Sequence, residues 1–207
     1  MKRRDFLFAA GAFGLGRSVM ASTTCNPMAC RSEVDLEEFA VTAYHAQECP
    51  EWCWAACVSM VFAFHGHPVA QDRIVKEVYG KAACWGSGPT INIARQLSRD
   101  WTDDSGNGFT SSLVAAFDAQ AGVNAINNPT IIAELDAGNP LIVCNTHHAM
   151  VLTAIEYRQT PMGPYVTGLG VVDPWPGAGA HALSPAESVP WPQGQCTFIA
   201  AVDVSDS

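Results

Sequence analysis

Charged side chains are scarce in this sequence of 207 residues, at 15% of the chain, with 11 basic and 20 acidic ones. No run of Lys or Arg follows the first few residues, which argues against nucleic acid as a partner. The sequence also lacks a phosphate-binding loop, a dinucleotide-binding glycine pattern and a set of metal ligands at matching spacing. We therefore expect no cofactor and no metal.

Long apolar runs and internal repeats are missing as well. Beyond the first 21 residues, no apolar stretch reaches the length that a bilayer span needs. Hydrophobic residues nevertheless make up 48% of the chain, which is enough for a core and excludes a disordered or fibrous protein. No linker interrupts the sequence. These features predict one domain of ordinary size, with room for two lobes.

Residues 1–21 have the features of a bacterial export signal. Arg3 and Arg4 precede an apolar stretch at Phe6–Leu15, and small residues up to Ala21 form a plausible cleavage site. The pattern resembles a twin-arginine signal, which exports folded protein. The alternative is a short N-terminal anchor helix. We expect an acidic mature protein that begins at Ser22, is periplasmic or secreted, and has no membrane contact after cleavage.

Export to an oxidising compartment makes disulfides the default state of the eight cysteines. Their spacing does not repeat as zinc ligands do. The His65/His67 and His147/His148 pairs have no third ligand close by in the sequence, so we interpret both pairs as surface or structural residues. The cysteines are Cys25, Cys30, Cys49, Cys53, Cys57, Cys84, Cys144 and Cys196.

The order of elements along the chain predicts the fold class. Residues 22–46 form a polar lead-in with an extended piece at Phe39–Tyr44. Apolar periodicity, Pro and Gly then predict helices at Trp52–His65, from Pro68 to Gly80, at Thr90–Arg99, at Thr110–Ala121 and from Pro129 to Gly138. Strands follow at Leu141–Cys144, Met150–Tyr157, Tyr165–Val172 and Thr197–Val204. Helices first and antiparallel strands second predict an α+β domain.

Three short segments contain the residues that could do chemistry. Cys53 begins an apolar helix, where the positive end of the helix dipole favours a thiolate nucleophile. His148 stands at the head of an apolar strand and could accept the thiol proton. Asp173 ends another strand and could hold the imidazole in its productive tautomer, with Trp175 keeping water away.

Together these segments resemble the papain-like cysteine peptidases. The match is to a bacterial branch that includes staphopain, plant-pathogen effector proteases and bacteriocin leader peptidases. Four sequence features carry it in this order: Gln47, Cys53-Trp54-Ala55, His148-Ala149-Met150 and Asp173-Pro174-Trp175. The resemblance spans residues 47–177, so we assign 47–207 to the peptidase domain. It implies a papain-like fold with the nucleophile on a helical lobe and His and Asp on an antiparallel β lobe.

The resemblance also implies a role for each site residue. Cys53 is the nucleophile, His148 the base and then the acid, and Asp173 the residue that orients His148. The Gln47 amide and the Cys53 backbone N–H form the oxyanion hole, and Trp54 and Trp175 support the site. His147 is the rival base, although its register places it on the opposite strand face. Cofactor-binding and metal-binding residues are not expected.

A free nucleophile constrains the remaining thiols. Cys57 lies one helical turn after Cys53, and we expect it in a disulfide, with Cys84 as the best partner. Sequence alone does not fix the connectivity. Since Cys53 must be free, seven thiols remain and at least one of them stays unpaired within the chain. We expect Cys144 to be that residue.

These features predict an exported cysteine peptidase that acts on a peptide or protein substrate. A transglutaminase or arylamine acyltransferase uses the same triad and differs only in the acceptor. A murein-cleaving cysteine amidase suits export but lacks the Trp-Ala and Asp-x-Trp neighbours. A papain-fold toxin or binding module is the remaining alternative, and a toxin would have a dedicated inhibitor or immunity protein as a partner.

Overall fold

A computed structural model of the chain describes residues 22–207; the predicted signal peptide, residues 1–21, lies outside the described residues. Five helices occur in this part: α1 (Leu36–Thr42), α2 (Cys53–Phe64), α3 (Gln71–Tyr79), α4 (Ile91–Gln96) and α5 (Asn128–Asp136). The strands are β1 (Ser22–Cys25), β2 (Cys30–Glu33), β3 (Arg99–Thr102), β4 (Gly108–Asp118), β5 (Val123–Asn124), β6 (Leu141–Cys144), β7 (Ala149–Thr160), β8 (Gly163–Asp173), β9 (Gly179–Ala182) and β10 (Phe198–Asp206).

All strands of the described chain join one antiparallel sheet. Its main path runs β1-β2-β7-β6-β10-β4-β3, with β5 paired to β4, β8 to β7 and β9 to β8. Residues 22–46, predicted as a lead-in, contain β1, β2 and α1, and β2 pairs with β7. The predicted α+β class with an antiparallel sheet is confirmed.

Both faces of the sheet are covered by helices. On one face, buried side chains of α1 to α4 pack against Ile142, Val151 and Ala200. On the other, Ile131 and Leu135 of α5 pack against strand residues that point the opposite way. Burial on both faces explains why β6 is a continuous apolar run instead of an alternating one.

Helix α2 is the central helix of the larger core. It packs against α1, α3, α4 and the strands β6 and β7. All its residues from Trp54 to Phe62 are buried, as expected for a helix that is apolar on every side. The chain leaves α2 at Gly66, which has a positive φ of 89°. This packing fixes the helix and therefore fixes Cys53 at its first turn.

The predicted strand at Phe39–Tyr44 is wrong, because this segment belongs to α1. The Asp35 side chain accepts a hydrogen bond from the Glu38 backbone N–H (2.9 Å), and Glu37 and Glu38 occupy the first turn. An N-cap carboxylate and acidic residues at a helix start stabilise the helix. These local interactions outweigh the alternation that indicated a strand.

The predicted helix at Thr110–Ala121 is also wrong, because Gly108–Asp118 forms β4. Its pairing with β10 shifts between Ala201 and Val202, which face Ala115 and Leu113, so Val114 is an extra bulged residue. A bulge reverses which side chains of the strand face the core, so the alternation of apolar and polar residues is interrupted.

The predicted third helix, Thr90–Arg99, was too long: α4 ends at Gln96, and Arg99 begins β3.

The predicted Cys57–Cys84 disulfide is wrong. Cys84 is bonded to Cys49, and Cys25 is bonded to Cys30. Cys57 is buried inside α2, facing the core, whereas Cys49 lies in the loop before the helix. The predicted free thiol at Cys144 is confirmed; Cys53, Cys57 and Cys196 are also free in the described chain.

Among the described helices, none is long and apolar enough to span a bilayer.

Candidate active site

Cys53 is the first residue of α2. The preceding residue, Trp52, makes no side-chain cap, so the amide groups of the first turn are not covered by a side chain. The backbone N–H of Cys53 has no acceptor within the described chain. A sulfur at this position lies near the positive end of the helix dipole. Cys53 is partly exposed and lines a cavity.

An Asn turn positions His148 directly before β7. The Asn145 side-chain Oδ1 accepts hydrogen bonds from the backbone N–H groups of His147 (2.8 Å) and His148 (2.7 Å). Asn at such a turn satisfies the two N–H groups that the strand ladder does not reach. Sequence reasoning missed Asn145, although an Asn between a strand and a His pair is a recognisable turn signal.

Strand pairing brings His148 to Asp173. His148 precedes the first residue of β7, and Asp173 is the last residue of β8. Because Val151 of β7 is opposite Val172 of β8, the start of β7 lies beside the end of β8. His148 Nε2 lies 2.6 Å from Asp173 Oδ1, and the Trp175 backbone N–H donates to the same oxygen at 2.7 Å.

This contact shifts the pKa values of both groups. Burial lowers the pKa of His148, but hydrogen bonds with Asp173 and Cys53 outweigh it and raise that pKa to about 9. Burial raises the pKa of Asp173, but hydrogen bonds from His148 and the Trp175 N–H outweigh it and leave that pKa lowered. At neutral pH the pair is an imidazolium and a carboxylate.

Cys53 and His148 line the same cleft. Since Nε2 of His148 faces Asp173, Nδ1 is the ring nitrogen that remains for a thiol.

Gln47 is buried next to the nucleophile loop, and its amide is engaged there. Its Nε2 donates to the backbone carbonyls of Cys49 (3.0 Å) and Pro50 (2.7 Å), and its Oε1 is buried with no partner among residues 22–207. The Gln47 backbone N–H donates to the Pro174 carbonyl at 2.8 Å, which ties this loop to the Asp173 segment. Donation to an oxyanion requires Nε2 to release one of its two carbonyls.

The other predicted residues occupy different positions. Trp54 is buried in the core, and its indole N–H donates to the Trp85 carbonyl at 3.3 Å. The indole of Trp175 is half-exposed, so only the backbone of that residue is seen to contact Asp173. His147 is exposed and lines the cavity, whereas His148 faces Asp173.

A cleft with a volume of about 470 Å³ begins at Cys53 and His148. One wall is the segment Gly86–Gly88, which the Cys49–Cys84 disulfide holds beside the nucleophile loop. Hydrogen bonds from Trp52 Nε1 to the Ala83 carbonyl (2.9 Å) and from Tyr79 Oη to the Gly86 carbonyl (2.5 Å) fix the same wall. The volume falls within the range of small-molecule and peptide sites.

Metal-binding geometry is not found among residues 22–207. No group of three or more His, Cys, Asp or Glu side chains in this part of the chain could hold a metal ion. His67 instead stacks on Phe109 and contacts Asp206 at 3.2 Å.

A Cys at the start of a buried helix, in one cleft with a His–Asp pair at the ends of two antiparallel strands, is the arrangement of a papain-like cysteine peptidase. Comparison with known families agrees. The Peptidase_C39 like family matches residues 38–187, and the chain belongs to this family. The protein is a papain-like cysteine peptidase, as the sequence predicted.

Solved structures with similar folds include two peptidases. One is the peptidase domain of Streptococcus ComA, a bifunctional ABC transporter of a quorum-sensing pathway, with 16% identity and a TM-score of 0.45 over 79% of this chain and 97% of that one. The other is a double glycine motif protease from an AMS/PCAT transporter in complex with a leader peptide, with 13% identity and a TM-score of 0.40 over 80% and 94%. No curated protein sequence matches the chain significantly.

Proposed function

We propose that this peptidase hydrolyses peptide bonds through a Cys53–His148–Asp173 triad. The observation that carries the proposal is the contact of His148 Nε2 with Asp173 Oδ1 at 2.6 Å, in a cleft that Cys53 and His148 both line. This is the nucleophile–base–orienter geometry that covalent catalysis requires.

The reaction has two halves. The Cys53 thiolate attacks the carbonyl carbon of the scissile bond; the C–N bond breaks as His148 protonates the leaving amine, which leaves a thioester. Water then attacks the thioester, His148 takes the water proton, and the acid product leaves with the thiolate restored. Asp173 keeps the ring oriented through both halves. The Cys53 N–H and the Gln47 amide stabilise the oxyanion.

The test is mass spectrometry of peptides released from a proteome digest by the wild-type protein and by Cys53→Ala. We expect Cys53→Ala to release no specific peptides while keeping the fold, because the side-chain change is small. Cys57→Ala is the matched control, since Cys57 lies one turn further along α2 and is buried in the core. Specific cleavage by Cys53→Ala above a few per cent of wild type would assign the nucleophile elsewhere.

We also propose that the protein leaves the cytoplasm by the twin-arginine route. The support is the Arg3-Arg4 pair followed by an apolar segment. Lys cannot reproduce the planar guanidinium, so Arg3→Lys/Arg4→Lys should stop export. Arg17→Lys is the control that keeps the pair. Processed protein from the double variant outside the cytoplasm would indicate the general secretory route.

A further inference from the structure

The loop between β6 and β7 carries His148, and one side chain organises it. The loop consists of residues 145–148, since β6 ends at Cys144 and β7 begins at Ala149. The Asn145 backbone N–H donates to the His148 carbonyl at 2.9 Å, and Asn145 Oδ1 accepts from the His148 N–H at 2.7 Å. The same residue therefore holds the backbone of His148 at both its N–H and its C=O.

The Asn145 amide can hold His148 in one orientation only. Turned over, it would present its NH₂ group to the N–H donors of the loop, and no hydrogen bond could form. Glu187 stabilises the required orientation, because its Oε1 accepts from Asn145 Nδ2 at 3.0 Å. An ionised carboxylate has no proton to donate, so only the NH₂ end of the amide can face it. A hydrogen bond to a charged acceptor is also stronger than one between neutral groups.

Glu187 is itself fixed by the turn in which it lies. Its Oε2 accepts from the Ser184 hydroxyl (2.6 Å) and the Ser184 backbone N–H (3.0 Å), while the Glu187 N–H donates to Ser184 Oγ (3.4 Å). This reciprocal pairing of Ser and Glu three residues apart is that of a capping box. The bonds from Ser184 outweigh burial and lower the pKa of Glu187, so the carboxylate is charged at neutral pH. Since the turn uses Oε2, Oε1 is left for Asn145.

A second contact from the same stretch of chain reaches the backbone of the loop. Thr197 Oγ1 donates to the Asn145 carbonyl at 2.9 Å, and the Thr197 N–H donates to the Cys144 carbonyl at 2.8 Å. Glu187 and Thr197 both belong to residues 183–197, between β9 and β10. The Thr197 contacts fix where the loop begins, whereas the Glu187 contact acts on the side chain that holds His148.

We propose that Glu187 is a positioning residue for catalysis: through Asn145 it fixes the backbone of His148, and thereby the imidazole that faces Asp173. The inference rests on the proposed function, in which His148 is the base and then the acid. Glu187 and Asn145 are 42 positions apart in the sequence, and Glu187 is not among the described residues that line the cleft. The carboxylate therefore acts through Asn145 and does not touch the substrate.

Loss of the Glu187 carboxylate should lower kcat without a comparable rise in KM. The imidazole keeps its chemistry but loses its fixed alignment, and a displacement of about 1 Å can cost on the order of 100-fold in rate. We expect Glu187→Ala to lower kcat by about 10- to 100-fold, with KM within about twofold of wild type. Glu187→Gln keeps an oxygen for Asn145 Nδ2 and should retain most of kcat.

The measurement is steady-state kinetics on one fluorogenic peptide, built on a sequence recovered from the proteome digest. The kcat values refer to the concentration of folded protein, determined by circular dichroism. A pH–rate profile adds a second readout. Against the effect of burial, the Asp173 contact raises the pKa of His148 to about 9, so a displaced ring should move the alkaline fall of kcat/KM to lower pH in Glu187→Ala. A loss of stability alone would change neither kcat per folded molecule nor this profile.

Glu134→Ala is the matched control. Glu134 Oε2 accepts from Asn139 Nδ2 at 2.9 Å, a Glu–Asn pair of the same chemistry. That pair lies before β6 in the chain, whereas Asn145 follows β6. We expect Glu134→Ala to keep the wild-type kcat and pH profile. An equal loss of kcat in Glu134→Ala, or wild-type kcat and pH profile in Glu187→Ala, would overturn the inference.

A double variant shows whether the effect passes through Asn145. If it does, Asn145→Ala/Glu187→Ala should be no slower than Asn145→Ala alone, because Glu187 then has no side chain to act on. Losses of kcat that multiply in the double variant would refute the connection. Each of these outcomes concerns the positioning role alone as long as Cys53→Ala is inactive. Activity in Cys53→Ala would instead refute the triad.

Discussion

Asp173 Oδ1 is shared between two donors, the imidazole Nε2 of His148 at 2.6 Å and the backbone N–H of Trp175 at 2.7 Å. The Trp175 backbone N–H thus orients the Asp173 carboxylate, and the carboxylate orients the His148 imidazole. The second donor does not depend on the protonation state of His148.

Because the neighbouring backbone holds residue 173, Asp173→Asn should keep measurable activity, with an amide oxygen in place of the carboxylate. His148→Ala should lose two to four decades in rate, on the order expected for positioned acid–base catalysis, since Cys53 then lacks a proton acceptor. Paired kinetics at pH 7 on one fluorogenic peptide would measure both. His147→Ala is the control; if it were inactive and His148→Ala active, the assignment of the base would be wrong by one residue.

The activity should extend far into alkaline pH. The pKa of His148 is raised to about 9, so the imidazolium persists until the pH passes that value. We expect kcat/KM to fall as pH rises through about 9, and Asp173→Asn to move this fall towards the ordinary His value of 6.5 by removing the largest interaction that raises the pKa. A pH–rate profile for both proteins would measure the shift.

The same pKa predicts a stability change of known sign. A group whose pKa is raised by folding stabilises the fold fully below its unfolded pKa, here 6.5, and this contribution disappears as pH rises to about 9. Thermal unfolding of wild type and of Asp173→Asn should be measured between pH 6.5 and about 9. The stability difference between the two proteins should become smaller as the pH rises. A difference that grows would contradict the assigned ion pair.

Gln47→Ala separates two roles of one side chain. If Gln47 donates to the oxyanion, kcat should fall by roughly 10²–10³, the usual effect of losing one such donor. Its bonds to the Cys49 and Pro50 carbonyls also predict a loss of about 1–2 kcal/mol in unfolding free energy. Kinetics and urea unfolding on the same preparation measure both. Lower stability with unchanged kcat would show that Gln47 only stabilises the loop before α2, and it would refute the oxyanion role.

The Cys49–Cys84 disulfide should support the cleft as well as the fold. The bonded residues are 35 positions apart, and losing such a cross-link costs about 2–4 kcal/mol of unfolding free energy. We expect Cys49→Ala/Cys84→Ala to lose this stability and to show a higher KM, because the Gly86–Gly88 wall is released. Urea unfolding and peptide kinetics would test both effects.

The control for that experiment is Cys25→Ala/Cys30→Ala. This disulfide joins residues only 5 apart, at the paired ends of β1 and β2. A shorter loop stabilises less, and the pair does not line the cleft, so KM should stay unchanged. Equal effects of the two double variants on KM would mean that the Cys49–Cys84 bond does not position the wall.

Elements with a simple pattern were predictable from sequence. Helix α2 is long, apolar and closed at Gly66, and β6 was predicted with its observed ends, Leu141–Cys144. Segment β4 was not predictable because the bulge at Val114 breaks its alternation, and that bulge depends on pairing with β10. Helix α1 was not predicted, because the stabilisation that its Asp35 N-cap provides exceeds the weak strand preference of the alternating residues at Phe39–Tyr44.

For the candidate site, the sequence motifs indicated which side chains could react, and strand pairing explains why His148 and Asp173 meet. The Cys49–Cys84 bond could not be inferred, because it depends on which faces of α2 and its preceding loop point outward. Asn145 was missed for a similar reason. Its Nδ2 donates to Glu187 Oε1 at 3.0 Å, a contact between segments distant in sequence.

The place of β10 in the sheet has a consequence for the time at which the protein becomes active. β10 follows Cys53, His148 and Asp173 in the chain, yet it lies between β6 and β4 in the sheet. Its Phe198 and Ala200 belong to one core and its Ile199 and Ala201 to the other. A growing polypeptide on the ribosome thus holds all three reactive residues before it can complete either core. We expect synthesis order itself to delay proteolysis until the sheet closes.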